Sequence, residues 1–148
     1  MAAWALSHSV TRPLRKEEDN KRMAKDSWSW QAGYGLEVIL DLYECDPKVI
    51  RSKKKLAQFV TRLCKLLRME KYGKTLLPHF GYNEAHTAGY SLLQFIETSS
   101  ITGHFSEMWN AAYLNIFSCR AFDAPKAIRF TVKFFKAKRF KKHVLVRK

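Results

Sequence analysis

The placement of charge constrains this chain more than any other feature. Lys and Arg number 27 against 13 Asp and Glu, a formal net charge of +14. The basic residues gather at 12–25, 51–55 and 133–148, with no Lys or Arg from 75 to 119. Unpaired cations are costly to bury, so the pattern predicts basic ends and one solvated helix face around an almost uncharged centre that carries the core. A hydrophobic fraction of 47%, with ten Phe, six Tyr and four Trp in 148 residues, is enough to pack that core. It argues against general disorder and fits one domain rather than two independent catalytic ones.

An excess of positive charge attracts nucleic acid, anionic membrane or acidic partners. Aromatic residues alternate with Lys and Arg around Trp28, Trp30, Phe134, Phe135 and Phe140, as in single-strand-binding surfaces. No helix-turn-helix, zinc finger or RNA-recognition motif accompanies them, so nucleic acid is not the expected partner. Cys45, Cys64 and Cys119 form no CxxC pair and leave an odd count, which indicates neither a metal site nor a disulfide framework. A cytoplasmic location is expected. The apolar opening residues are interrupted by Ser7, His8 and Ser9, too early for a signal peptide or a membrane span.

Residues 1–32 read as a basic N-terminal extension, and 33–148 as the domain proper, ending in a basic C-terminal tail. From Gly35 to Tyr43 apolar Leu36, Val38, Leu40 and Leu42 alternate with Glu37 and Asp41, the period of a strand packed on one face. Asp46 and Pro47 then supply an N-cap and a first-turn proline. The following helix gathers Leu56, Phe59, Val60, Leu63 and Leu67 on one face. Short strands are expected at 75–80 and 90–97, a loop at 81–89, and a further strand at 111–118. Asp123 and Pro125 announce a second helix whose Ala127, Phe130, Phe134 and Phe135 pack on the same sheet. Val144, Leu145 and Val146 close the chain as an edge strand. This order predicts an α+β fold, a two-layer sandwich with two helices on one face of a mainly antiparallel sheet.

The chemistry-bearing stretch is Glu97-Thr98-Ser99-Ser100-Ile101-Thr102-Gly103-His104-Phe105, short of charge and rich in hydroxyls, followed by a strand ending Ile116-Phe117-Ser118-Cys119. It resembles the prokaryotic S-adenosylmethionine decarboxylase family. That family carries a Ser-His-x-Ser-x-His segment and a strand ending Phe-Thr-Cys, matched here without a gap by Ser99 to His104 and by Phe117-Ser118-Cys119. Gly35 to Pro47 is similar to the family's opening strand and its Asp-Leu-Tyr-x-Cys-Asp-Pro turn, and His79-Phe80 and the helix start at 123–127 also match. The resemblance covers about 33–136.

The resemblance implies a pyruvoyl-dependent carboxy-lyase made as a zymogen. Its autocatalytic cleavage would fall between Thr98 and Ser99 and convert Ser99 into a pyruvoyl group, the cofactor, which forms a Schiff base with the substrate and takes up the electrons left by departing carbon dioxide. On the family pattern His104 assists processing, a task suited to an imidazole. Cys119 is the proton donor to the substrate carbon. Thr102 keeps a hydroxyl where the family has serine, to support His104 or the ester. The implied substrate is S-adenosylmethionine, decarboxylated for spermidine and polyamine synthesis, and the implied assembly is a homodimer joined through its sheets. No metal is called for.

Three departures stand beside the match. Thr98 occupies the position where the family has Glu, Ser100 stands where it has His, and Ser106, Glu107 and Met108 do not reproduce its Trp-Pro-Glu. Two alternatives therefore stay open: a pyruvoyl-dependent decarboxylase of arginine or ornithine, and an inactive paralogue that regulates an active partner.

Overall fold

The structure, a computed structural model, describes residues 33–148; the expected extension at 1–32, with Trp28 and Trp30, lies outside the described residues. The chain runs β1 (Gly35–Tyr43), α1 (Pro47–Ile50), α2 (Lys53–Leu67), β2 (Lys71–Leu76), β3 (His79–Phe80), β4 (Gly89–Ile96), β5 (Ser99–Ser106), β6 (Ala111–Ser118), α3 (Ala124–Phe135) and β7 (Arg139–Arg147). The strands form one antiparallel sheet in the order β2-β4-β5-β6-β1-β7, with β3 beside β4. The expected α+β architecture is what the chain adopts.

Alternation along the strands sorts their side chains. Leu36, Val38, Leu40 and Leu42 of β1, Ile101 and Phe105 of β5, and Ala112, Leu114 and Ile116 of β6 are all buried on one face. Helix α2 lays Leu56, Phe59, Val60 and Leu63 on that face, and α3 adds Ala127, Ile128 and Phe135. Phe59 of α2 and Phe135 of α3 lie 4.8 Å apart, and Phe135 meets Phe105 of the sheet at 5.5 Å. Phe59 thus ties both helices to the core. Phe59→Ala is expected to cost about 3–5 kcal/mol, a large share of an ordinary domain's roughly 5–15 kcal/mol; chemical denaturation would read it as a lower midpoint.

Four local expectations need correction. The single helix after Pro47 is two, because the Ser52 side chain accepts the Lys55 N–H and starts α2 afresh after the one-turn α1. The strand expected at 75–80 breaks at Leu77 and Pro78, since proline has no N–H to donate to a ladder. Residues 99–106, not assigned to a strand from sequence, form β5, a central strand paired on both sides. The closing strand is longer than 144–146 and runs through most of the basic tail as β7. Lysine and arginine are well suited to such an edge, where long side chains reach water and the charge discourages pairing with other chains.

Phe135 is fully buried and Phe134 rings with Phe59 and Phe130. These aromatics are therefore committed to the helix layer rather than offered to bases.

Candidate active site

The two-residue turn Glu97-Thr98 joins β4 to β5, with Ile96 opposite Ser99. Strand β6 lies on the other side of β5 and pairs Ser99 with Ser118. This register brings the end of β6 to the turn, across twenty residues of sequence. The Cys119 N–H donates to the Thr98 carbonyl oxygen at 2.9 Å. The Thr98 and Ser118 hydroxyl oxygens lie 2.8 Å apart, and Ser118 Oγ accepts the Arg120 N–H at 3.0 Å. On the far side, the Glu97 N–H donates to the Glu70 carbonyl at 3.0 Å. Ser99 itself takes a φ of 152°, which side-chain-bearing residues rarely adopt. The Glu97-Thr98 turn is thus tied on both flanks, and its Thr98 carbonyl is held from the β6 side next to a strained serine.

The fold does not bring all the expected residues to this point. Thr102 and His104 lie on the face of β5 opposite to buried Ile101 and Phe105, in register with Asn115 and Tyr113. His104 is five residues along the strand from Ser99 and of opposite parity, so their Cα atoms stand about 17 Å apart at the usual strand rise. Within one chain His104 cannot touch Ser99. Nor is Thr102 the hydroxyl bonded to His104: that partner is Ser91 of β4, whose Oγ lies 2.8 Å from His104 Nδ1. Nothing in the motif pointed to Ser91. Only the tight turn at 97–98, which sets Ser91 opposite His104, could have identified it.

The uncovered sheet face carries more polar machinery that sequence reasoning missed. Glu37 accepts a hydrogen bond from Asn115 Nδ2 at 3.1 Å and pairs with the Arg147 guanidinium, which lies 5.5 Å from the Phe117 ring centroid. Burial, reinforced by the Asp41 carboxylate, holds the phenols of Tyr43 and Tyr113 above the usual tyrosine range, so both remain protonated donors at neutral pH. Near β3, His79 contacts Tyr82 Oη at 2.6 Å and Glu107 Oε1 at 2.7 Å. Tyr72, Leu76 and Phe95 are exposed, and Tyr72 and Phe95 are cross-strand partners beside Leu76 and Leu93.

The three cysteines have different surroundings. Cys45 and Cys64 are buried, and burial pushes the Cys45 thiol up to about 12 and raises that of Cys64 as well. Both are core residues. Cys119 alone is partly exposed, at the turn. A groove of about 430 Å³ between α2 and α3 is lined by Lys55, Arg62, Lys133 and Phe134 among others and includes none of the residues at the turn. Among the described residues no cluster of three or more His, Cys, Asp or Glu could hold a metal ion, and no helix is long and apolar enough to cross a membrane.

Chemically, the turn presents a peptide carbonyl already bonded to a fixed N–H, with a serine hydroxyl on the following residue. A donor already fixed on that carbonyl oxygen would meet the negative charge that develops there during an intramolecular acyl shift. Known proteins that resemble this chain fall into one family. The family model described as S-adenosylmethionine decarboxylase matches residues 36–148. An S-adenosylmethionine decarboxylase proenzyme of Sulfurisphaera tokodaii is 33% identical over 107 residues, covering 72% of this chain and 82% of the relative. The proenzyme of Sulfolobus acidocaldarius is 32% identical over the same length and coverage. The crystal structure of the adenosylmethionine decarboxylase from Aquifex aeolicus shares the fold with a TM-score of 0.67 at 19% identity, over 78% of this chain and 91% of that one.

Proposed function

The chain belongs to the S-adenosylmethionine decarboxylase family, a family of carboxy-lyases, and on that premise we propose that it decarboxylates S-adenosylmethionine for spermidine synthesis, using a pyruvoyl group made from its own Ser99. The observation that carries this reading is the Cys119 N–H on the Thr98 carbonyl at 2.9 Å, beside a serine in a strained conformation.

The bonds made and broken in self-cleavage involve only this chain and one water. Ser99 Oγ bonds to the Thr98 carbonyl carbon while the Cys119 N–H supports the oxygen. The Thr98-Ser99 C–N bond breaks, the nitrogen takes up a proton, and an ester links the two residues. Loss of the Ser99 α-proton then expels the Thr98 carboxylate and leaves dehydroalanine. Water hydrolyses the derived imine and releases ammonia, so a pyruvoyl group remains at residue 99. Its carbonyl supplies the electron sink for decarboxylation. Cys119, next to the junction, holds the proton destined for the substrate carbon.

His104 enters this scheme from a second copy. It stands on the uncovered sheet face, where Tyr72, Leu76 and Phe95 offer apolar surface, so a homodimer packed through that face would bring one copy's His104 toward the other's junction. Three free thiols suit a cytoplasmic setting.

A mixing experiment tests the reading. Ser99→Ala and His104→Ala are each expected to stay uncleaved alone. Co-expressed with different tags, the His104→Ala chain should be cleaved, because its own Ser99 meets the histidine of its partner. If cleavage is not restored, the imidazole is not shared between copies. Carbon dioxide release from S-adenosylmethionine, arginine and ornithine then decides the substrate.

A further inference from the structure

We infer that Thr98 and Ser118 are positioning residues for self-cleavage, their paired hydroxyls holding the Thr98 carbonyl on the Cys119 N–H; this rests on Ser99 being the self-cleaving residue. The Thr98-Ser99 peptide leads out of the turn into β5, and a rotation of its plane would take the carbonyl off its donor. Two bonds from consecutive residues prevent that. Cys119 N–H holds the carbonyl at 2.9 Å, and Ser118 Oγ holds the Thr98 hydroxyl at 2.8 Å.

Ser118 is itself immobilised. It is only 1% exposed, and its oxygen accepts the Arg120 N–H at 3.0 Å. One lone pair is thereby engaged, and the hydroxyl can either give its proton to Thr98 or receive the Thr98 proton. In both arrangements the Thr98 side chain is locked to the end of β6. Thr98 is the position at which this chain departs from the family's Glu, and the hydroxyl there is matched to a buried hydroxyl partner rather than left to solvent.

The test follows self-cleavage over time after cell-free synthesis of the full chain. Thr98→Val keeps the shape and removes the hydroxyl; Ser118→Ala removes its partner. Each is expected to slow cleavage about tenfold, the rate equivalent of one well-placed hydrogen bond. The double variant should be no slower than the slower single one, because both remove the same link, and Thr98→Ser should restore near wild-type cleavage. Melting of the same substitutions in an uncleavable Ser99→Ala background separates rate from folding. A folded Thr98→Val that cleaves at the wild-type rate, or slowing that multiplies in the double variant, overturns the inference while leaving the Ser99 assignment intact. Failure of the wild type to cleave overturns that assignment, and the inference with it.

Discussion

Ser99→Ala should accumulate only as the full 148-residue chain, whereas the wild type should separate into fragments 1–98 and 99–148 with pyruvate in place of Ser99. The effect is all or none because the reaction has one nucleophile. Without Oγ no bond can form to the Thr98 carbonyl, however well Cys119 N–H supports it. Ser100 is not a substitute: the carbonyl it would attack belongs to residue 99, inside β5, rather than to the turn that Cys119 grips. Carbon dioxide release should vanish along with cleavage, since no electron sink is made. Intact-mass measurement on protein purified under mild conditions reads both species. Cleavage of the variant at the same junction would remove Ser99 from its assigned role.

Cys119→Ala should do the opposite, preserving maturation and abolishing turnover. The group that supports the Thr98 carbonyl is the backbone N–H of residue 119, which alanine also possesses. The thiol, by contrast, has no replacement as a proton donor to the substrate carbon. Removing a positioned general acid commonly costs about 10²–10⁴ in rate, and carbon dioxide release should fall within that range. Some turnovers should deliver the proton to the wrong carbon, converting residue 99 to alanine and stopping the enzyme after few cycles; sequencing the small fragment would detect it. Cys45 and Cys64, buried in the core, are unsuited to replace it. Undiminished release by the variant would sink the role of Cys119. No release from S-adenosylmethionine, arginine or ornithine by processed wild type would favour the regulatory paralogue.

The parts legible from sequence are those governed by neighbours along the chain. Leu36, Val38, Leu40 and Leu42 alternate strictly enough to announce β1 and its buried face. Asp123 caps α3 by accepting the Lys126 N–H at 2.8 Å, as a residue of its type before a proline should. Strand β5 escaped notice although Ile101 and Phe105 point inward and Thr102 and His104 outward. Serine, threonine and glycine carry little strand signal of their own, and the segment is a strand because β4 and β6 hold it from both sides.

Residue types and spacing by themselves determined the family pattern: a serine, a histidine five residues on and a cysteine twenty residues on, within an α+β chain. Only the tertiary structure decided which of them meet. Hairpin register is a property of paired strands and their turns, and a slip of one residue would turn every side chain to the other face. The observed register sets Cys119 N–H on the Thr98 carbonyl and Ser118 beside Thr98. The rise and alternation of an extended strand then carry His104 away from Ser99 to the opposite face, where Ser91 receives it.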